Sequence, residues 1–413
     1  MTAPVDAQRT LHDFDDALSA DADTLAALGR HGEDVDAQMT HSAQLLNWLF
    51  DGGWIRHGWP EEVGGLGGPP VVRLQILERL TLRGYPIPEH LFALEVVGPA
   101  VVSYSPELAA KFMPAALRGD ELWCQGFSEP EAGSDLAALR TRAVAGADGN
   151  FVVSGQKIWT SYGARADRMV ALVRTGPADS RHRGLSMMLI DMDQPGVQRR
   201  PIALAGGREE VAEVFLTDVA VDRDRLIGEL DGGWVVAMNL LQYERGAYAW
   251  LRMATATSHL QQILTAAKDT AAKDTAAKDT APKDTAAKDT AAGTGDTDEP
   301  IAALAVGRAY LSLAALRART ASTLKRLSAK ENVGAQTSVD KLLLSAAEQD
   351  VMDSSLTLLN TELLLGDEPE DARRRDDWWY SRAASIYGGA REIQHGIIAD
   401  RILGLPKENS GGR

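Results

Sequence analysis

The 413-residue chain reads as an α+β multi-domain protein: a helical domain over residues 1–120, a β domain over 121–231 and a second helical domain over 232–413. Three observations predict this class. Hydrophobic periodicity is helical up to about residue 120, changes to short apolar runs between Gly, Asp and Pro clusters, and becomes helical again after about 232. Strand and helix patterns do not alternate, as they would in a parallel sheet. The length also accommodates two or three domains with a large core.

In the first part, His41–Asp51 (HSAQLLNWLFD) places Leu45, Leu46, Trp48, Leu49 and Phe50 within three turns, and Val72–Leu82 carries another apolar face. Between them WPEEVGGLGGPP is a run of turn formers. In the middle, Asn150–Ser154, Met169–Arg174, Gly184–Asp191 and Glu213–Val221 are rich in Val, Leu, Ile and Met and predict strands. In the last part Trp234–His259, Ala302–Leu327, Val339–Leu365 and Ala390–Leu403 predict long helices. A low-complexity insert occupies 266–299, beginning with five Ala-Ala/Pro-Lys-Asp-Thr pentads over Ala266–Thr290. Its alanines precess around a helix instead of forming a stripe, it lacks large apolar side chains, and Pro282 interrupts any helix. It is expected to be a solvated linker between two helices.

Composition excludes several functions. Forty-three basic against 58 acidic residues leave a net charge of −15, which argues against nucleic acid as a partner. A single cysteine, Cys124, rules out a disulfide framework and a multi-cysteine zinc site, and reads as a small buried hydrophobe. The eight histidines show no ligand spacing, so no metal is expected. No run of about 18 apolar residues is evident, which argues against a membrane span. The acidic start, MTAPVDAQRTLHDFDDAL, lacks the pattern of a signal peptide, and a cytoplasmic location is expected.

Three windows carry the chemistry. Trp123–Asp135 (WCQGFSEPEAGSD) ends in a turn and combines the hydroxyls of Ser128 and Ser134 with backbone freed at Gly126 and Gly133. By itself it reads more readily as a tight loop with capping serines. Gly155–Tyr162 (GQKIWTSY) sets an indole beside two hydroxyls, a flat face with polar handles, although a buried Trp is commonly core. Ile386–Pro406 (IYGGAREIQHGIIADRILGLP) is a Gly-Gly turn opening an amphipathic helix. In this order and spacing, EPEAGSD, KIWTS and the closing window resemble the acyl-CoA dehydrogenase family, over about 300 residues.

The resemblance implies a β-barrel-like middle domain, a C-terminal four-helix bundle, and FAD as cofactor. FAD would be held by the loop Gln125–Ser134, including Phe127, Ser128, Gly133 and Ser134, and by Trp159, Thr160 and Ser161. Ser134 would meet the pyrophosphate or the acyl thioester, and Ala390 and Glu392 would approach FAD, in some relatives from a neighbouring subunit. Desaturation of an acyl thioester needs a carboxylate to take the α-proton while the β-hydrogen leaves as hydride. Many relatives carry it just after the Tyr of the last window, where this chain has Gly388. In long-chain and branched-chain relatives it lies on the pocket helix, at the position of Glu244 in Gln242–Arg245 (QYER). Alone, Glu244 would read as half of a surface ion pair, but neighbours on a helix point apart, and Glu244 with Gly388 matches that pairing. Glu244 is therefore read as the base and the Gly388 N–H as a donor to the thioester carbonyl, with Tyr243 and Arg245 lining the substrate site.

The family implies electron-transfer flavoprotein as electron acceptor and a homodimer or homotetramer. The usual Arg and Phe that reach another subunit's FAD have no match in the AAKDT stretch, which leaves a pair of unlike subunits as an alternative. A flavin monooxygenase or oxidase of the same fold, or a partner subunit without activity of its own, are the competing readings. Arg373–Arg375, followed by Trp378 and Trp379, reads as a solvated face with an aromatic anchor, a CoA phosphate contact being the lesser reading. Gly246 and Ala247 hint at room for a long, branched or bulky acyl chain.

Overall fold

The computed structural model describes residues 6–28, 34–280 and 298–406. Six helices come first: α1 (Ala7–Ala20), α2 (Ala22–Leu28), α3 (Val35–Asp51), α4 (Val71–Leu82), α5 (Glu89–Tyr104) and α6 (Pro106–Arg118). Asp6 and Asp34 cap α1 and α3 by accepting the N–H groups of Arg9 (3.2 Å) and Ala37 (2.8 Å), satisfying donors that a helix start leaves free. Leu45, Leu46 and Leu49 of α3 are buried as their spacing predicts. A buried bidentate pair, Arg73 Nε to Glu95 Oε1 at 2.6 Å and Nη2 to Oε2 at 2.8 Å, ties α4 to α5. That guanidinium also lies 4.4 Å from the ring centre of Trp59 in the turn-forming run.

The middle of the chain forms one eight-stranded sheet: β1 (Trp123–Gly126), β2 (Arg142–Ala145), β3 (Phe151–Ser161), β4 (Arg168–Arg174), β5 (Leu185–Asp191), β6 (Val197–Ile202), β7 (Val211–Val221) and β8 (Leu226–Ile227). Its order is β6-β7-β3-β2-β4-β5-β8, with β1 pairing in parallel with β4. The barrel-like expectation is corrected here: β6 and β8 lie at opposite ends of this order, so the sheet does not close. β4 and β5 bury nearly every residue, the pattern of a strand covered on both faces. Cys124 is buried in that core, and burial pushes its thiol upward, as suits a structural residue.

The C-terminal helices are α7 (Gly233–Arg245), α8 (Ala247–Thr280), α9 (Asp298–Ser328), α10 (Thr337–Leu365), α11 (Pro369–Ala383) and α12 (Arg391–Arg401). α10 is the central member and packs against α8, α9, α11 and α12; α5 covers α7 and α4 covers α8. Three expectations change. The single helix expected over Trp234–His259 is broken after Arg245, where Gly246 leaves helical geometry at φ −109°, ψ −77°. The pentads are not a linker from their start: α8 runs on through Thr280, because extending a formed helix with Ala and Lys needs no new nucleus. The later pentads, with Pro282, lie outside the described residues. Finally, Pro300–Ser328 of α9 is long and apolar enough to cross a membrane by length and composition, with Ile301, Leu304 and Leu311 exposed. It packs against α8 and α10 through Ala309, Leu313, Leu316, Leu324 and Leu327.

Polar contacts dock the sheet on the bundle. Arg208 of the β6–β7 connection donates to Asp376 (2.6 Å) and Asp377 (2.8 Å) of α11, and Tyr380 Oη donates to Glu210 (2.8 Å). Gly246 does not open space for substrate. A Cβ there would stand 3.0 Å from both Leu327 Cδ1 and Thr323 Cγ2 of α9 and 2.9 Å from the Gln242 carbonyl, so its smallness serves close packing of α7 on α9. Gly246→Ala is accordingly expected to cost about 1–3 kcal/mol through overpacking. Urea denaturation would show this as a lower midpoint at unchanged slope.

Candidate active site

The loop after β1 is anchored from below by a buried ion pair. Glu129 accepts the N–H groups of Arg140 (2.6 Å) and Thr141 (2.9 Å), and Lys157 Nζ donates to Glu129 Oε1 (2.8 Å), Leu172 O (2.7 Å) and Phe127 O (3.2 Å). Burial opposes both charges. It pulls Lys157 down to about 8, against the pull of Glu129, whereas Lys157 and the hydrogen bonds outweigh burial at Glu129 and hold its carboxyl below the usual range. The Ser128 carbonyl accepts from Ile158 N at 2.9 Å, joining the two motif windows edge to edge. The sequence reading missed this pair, although its signal was present: Phe151, Val153 and Lys157 share the inward face of β3, where a lysine requires a partner.

A register shift between Lys157 and Thr160 interrupts the pairing of β3 with β7. There Trp159 adopts left-handed backbone (φ 60°) and presents its indole outward, 57% exposed. The next residue, Thr160, is buried, and its Oγ1 meets no partner, while Ser161 is exposed. An outward indole on strained backbone beside an unsatisfied hydroxyl is the cradle a planar ring would fill.

The second half of the site lies where α7 meets the turn before α12. Gly388 has φ 63°, and a Cβ placed on it would stand 2.8 Å from Glu244 Oε1 and 3.3 Å from Lys341 Cε. Arg245 Nε donates to Gly388 O (3.2 Å), and Gln394 Nε2 donates to Gly388 O (3.3 Å) and Gly389 O (3.2 Å). Among the described residues no acceptor meets the Gly388 N–H. Glu244 Oε2 accepts from Gln125 Nε2 at 3.4 Å, a long bond that links α7 to the end of β1. Glu244, Gly388, Arg245 and Gln125 thus lie together in the structure. Tyr243 is half-buried, and burial raises its phenol despite the neighbouring charge of Arg73.

Other expected residues stand apart. Ser134 and Gly133 are exposed on the loop, and Phe127 is buried beneath it. Ala390 caps α12 and Glu392 is exposed in its first turn, with no hydrogen bond or ion pair to residues 125–134 or 159–161. Arg373 pairs with Glu370, Arg374 donates to Asp371 (3.0 Å), and Arg375 donates to Leu363 O (3.1 Å) and Gly366 O (2.8 Å). These arginines are occupied within α10 and α11. An arginine-lined cleft of about 230 Å³ lies elsewhere, beside Asp135: Arg140 pairs there with Glu131 (3.2 Å) and Arg181 with Asp135 (2.6 Å), Arg174 is buried against the carbonyls of Leu139 and Ala137, and Arg142 is exposed. Its arginines are dispersed in sequence, so no local charge run announced it.

Residues 124–219 match the family model for the middle domain of acyl-CoA dehydrogenase, and residues 283–403 match its C-terminal domain. The chain is 33% identical over 397 residues to the acyl-CoA dehydrogenase IpdE1 of Mycobacterium tuberculosis, covering 96% of each. It belongs to the acyl-CoA dehydrogenase family. Two solved members have the same fold: the Tcur3481–Tcur3483 steroid ACAD (TM-score 0.74, 25% identity, 97% of each chain) and the ChsE4–ChsE5 complex of M. tuberculosis. For the latter the TM-score is 0.76 at 24% identity, over 98% of this chain and 100% of that one. Acyl-CoA dehydrogenases are oxidoreductases, and members of the family bind FAD. The residues of this chain fit that group: the Trp159 indole is exposed and the buried Thr160 hydroxyl has no partner among the described residues.

Lys157→Met should leave Glu129 buried without its cation and cost about 3–5 kcal/mol. Lys157→Met with Glu129→Gln should recover part of that loss. Thermal denaturation of the single and double variants checks both.

Proposed function

We propose that this acyl-CoA dehydrogenase desaturates the acyl chain of a CoA thioester between its α and β carbons, with Glu244 as the base. The observation that carries the reading is the meeting of the Glu244 carboxylate with the space a side chain at 388 would need. Glu244 takes the α-proton. The Gly388 N–H, which meets no acceptor among the described residues, donates to the thioester carbonyl as negative charge develops there. Arg245 and Gln394 hold the Gly388 carbonyl and so aim that N–H. Ser128, Trp159, Thr160 and Ser161 hold FAD, with further contacts from Gln125 and from Ser134. Bound there, FAD supplies the acceptor for the β-hydride, and electron-transfer flavoprotein takes the electrons onward.

The arginine-lined cleft beside Asp135 supports a CoA ester over a carrier-protein ester. Its exposed Arg142, with Arg140 and Arg181 once drawn from the exposed carboxylates of Glu131 and Asp135, would offer cations to phosphate groups on a chain of net charge −15. A bulky, polycyclic acyl group is supported by the steroid acyl-CoA dehydrogenase among the relatives and not by Gly246. Assembly with a second copy or a sister subunit is supported by the exposed apolar residues of α9 and by relatives solved as complexes.

Glu244→Gln should fold, bind FAD and bind thioester, yet reduce flavin about 100 to 10,000 times more slowly. Glu244→Ala with Gly388→Glu moves the carboxylate to the other position and clears the 2.8 Å collision. It should restore part of the rate, limited by misplacement and by the left-handed backbone at 388. Anaerobic single-turnover spectroscopy measures both; near-normal reduction by Glu244→Gln overturns the reading. Separately, Trp159→Ala should lose most of its FAD, measured by the visible absorbance of purified protein relative to wild type.

A further inference from the structure

We propose that Lys341 is a positioning residue for proton abstraction: its buried ammonium fixes the turn that carries Gly388 and sets a positive charge beside Glu244. This rests on the reading of Glu244 as base.

Lys341 lies in the first turns of α10 and is only 3% exposed. Its Nζ donates to Ala384 O at 2.6 Å, an oxygen that Ser345 Oγ also engages at 2.6 Å, and it lies 3.9 Å from the ring centre of Tyr387. Ala384 and Tyr387 are the start and the last residue of the segment leading into Gly388. The lysine therefore grips that segment at two points. Its Cε and the Glu244 Oε1 flank the same spot, 3.3 Å and 2.8 Å from where a Cβ at 388 would stand.

A buried lysine is costly unless its charge is used. Among the described residues Lys341 forms no ion pair within 4.0 Å. The charged and titratable groups around it are Glu348 on its own helix, Glu244 and Arg245 on α7, Arg252 on α8 and Tyr387. Glu348 is already occupied: Arg252 Nε donates to it at 2.6 Å and Tyr387 Oη at 3.0 Å. Among the described residues Glu244 has only the long bond from Gln125. Of the two carboxylates, Glu244 is the one left for the lysine's field to act on, next to the place where negative charge arises on the thioester.

Burial pulls the Lys341 ammonium down to about 8, with Glu348 and Glu244 opposing it. Its charge is present below that pH and lost as pH rises through it. The nearby phenols of Tyr248, Tyr380 and Tyr387 are pushed upward by burial and do not titrate in this window. Lys157 is also pulled to about 8, but it faces Glu129.

The test is exchange of the α-hydrogen of a bound acyl-CoA thioester in D2O, followed by mass spectrometry on the FAD-loaded enzyme from pH 6 to 10. Wild type should lose rate above about pH 8. Lys341→Met should keep its FAD, exchange about 10- to 100-fold more slowly, and show no fall in that window. Lys341→Arg should recover part of the rate and move the fall upward, a rescue that a merely structural peg would not give. A folded, FAD-loaded Lys341→Met with the wild-type rate and alkaline fall overturns the proposal. So does a wild-type profile flat across pH 7 to 9, should Lys341→Met fail to fold. Glu244→Gln in the same assay separates the two claims: undiminished exchange there defeats the base, whereas exchange lost there but unaltered in Lys341→Met defeats only the lysine.

Discussion

The Glu244 carboxylate occupies the space that any side chain at residue 388 would claim, and the surrounding elements are built to keep it so. Left-handed backbone at Gly388 turns the chain toward α7, Arg245 and Gln394 bind its carbonyl, and Lys341 holds the segment before it. Those groups come from α7, α10 and α12, so the constraint is tertiary. The break at Gly246 follows directly on Arg245, at a residue whose missing side chain lets the chain pass close to Leu327 and Thr323 of α9.

The sheet solves a different problem. A planar cofactor needs an exposed aromatic face on a rigid edge, and exposure of a tryptophan is unfavourable unless the backbone holds it there. The bulge in β3 turns Trp159 outward, and the Glu129–Lys157 pair stiffens the adjoining loop from beneath. A hydrogen bond from Gln125 to Glu244 links the two halves, joining the strand that begins the first motif to α7.

Much of this was legible in the residues. Period-2 and period-3.6 patterns distinguish sheet from helix because each element buries one face, and the Glu244–Gly388 exchange shows as a carboxylate in one motif and a vacancy in another. What escaped was set by contacts distant in sequence. Nothing local in Lys341 or Gln394 says that each meets the Ala384–Gly389 segment, and the four cleft arginines gather only when β2, β4 and the connections beside them fold together. The repeat was misjudged at its start because composition describes an isolated segment, whereas Ala266 continues a helix nucleated twenty residues earlier. The apolar stretch of α9 was missed because Arg308, Arg317 and Arg319 interrupt it. Gly246 was assigned to a pocket because a missing side chain in sequence does not say what fills its place.

The central claim is that Glu244 faces the α-carbon. An experimental structure of the FAD-loaded Glu244→Gln variant with an acyl-CoA thioester trapped in it tests this most directly. The account predicts the residue 244 side chain about 3 to 3.5 Å from the α-carbon, with the Gly388 N–H on the thioester carbonyl. A different carboxylate nearest the α-carbon, or a thioester carbonyl held away from Gly388, would contradict it.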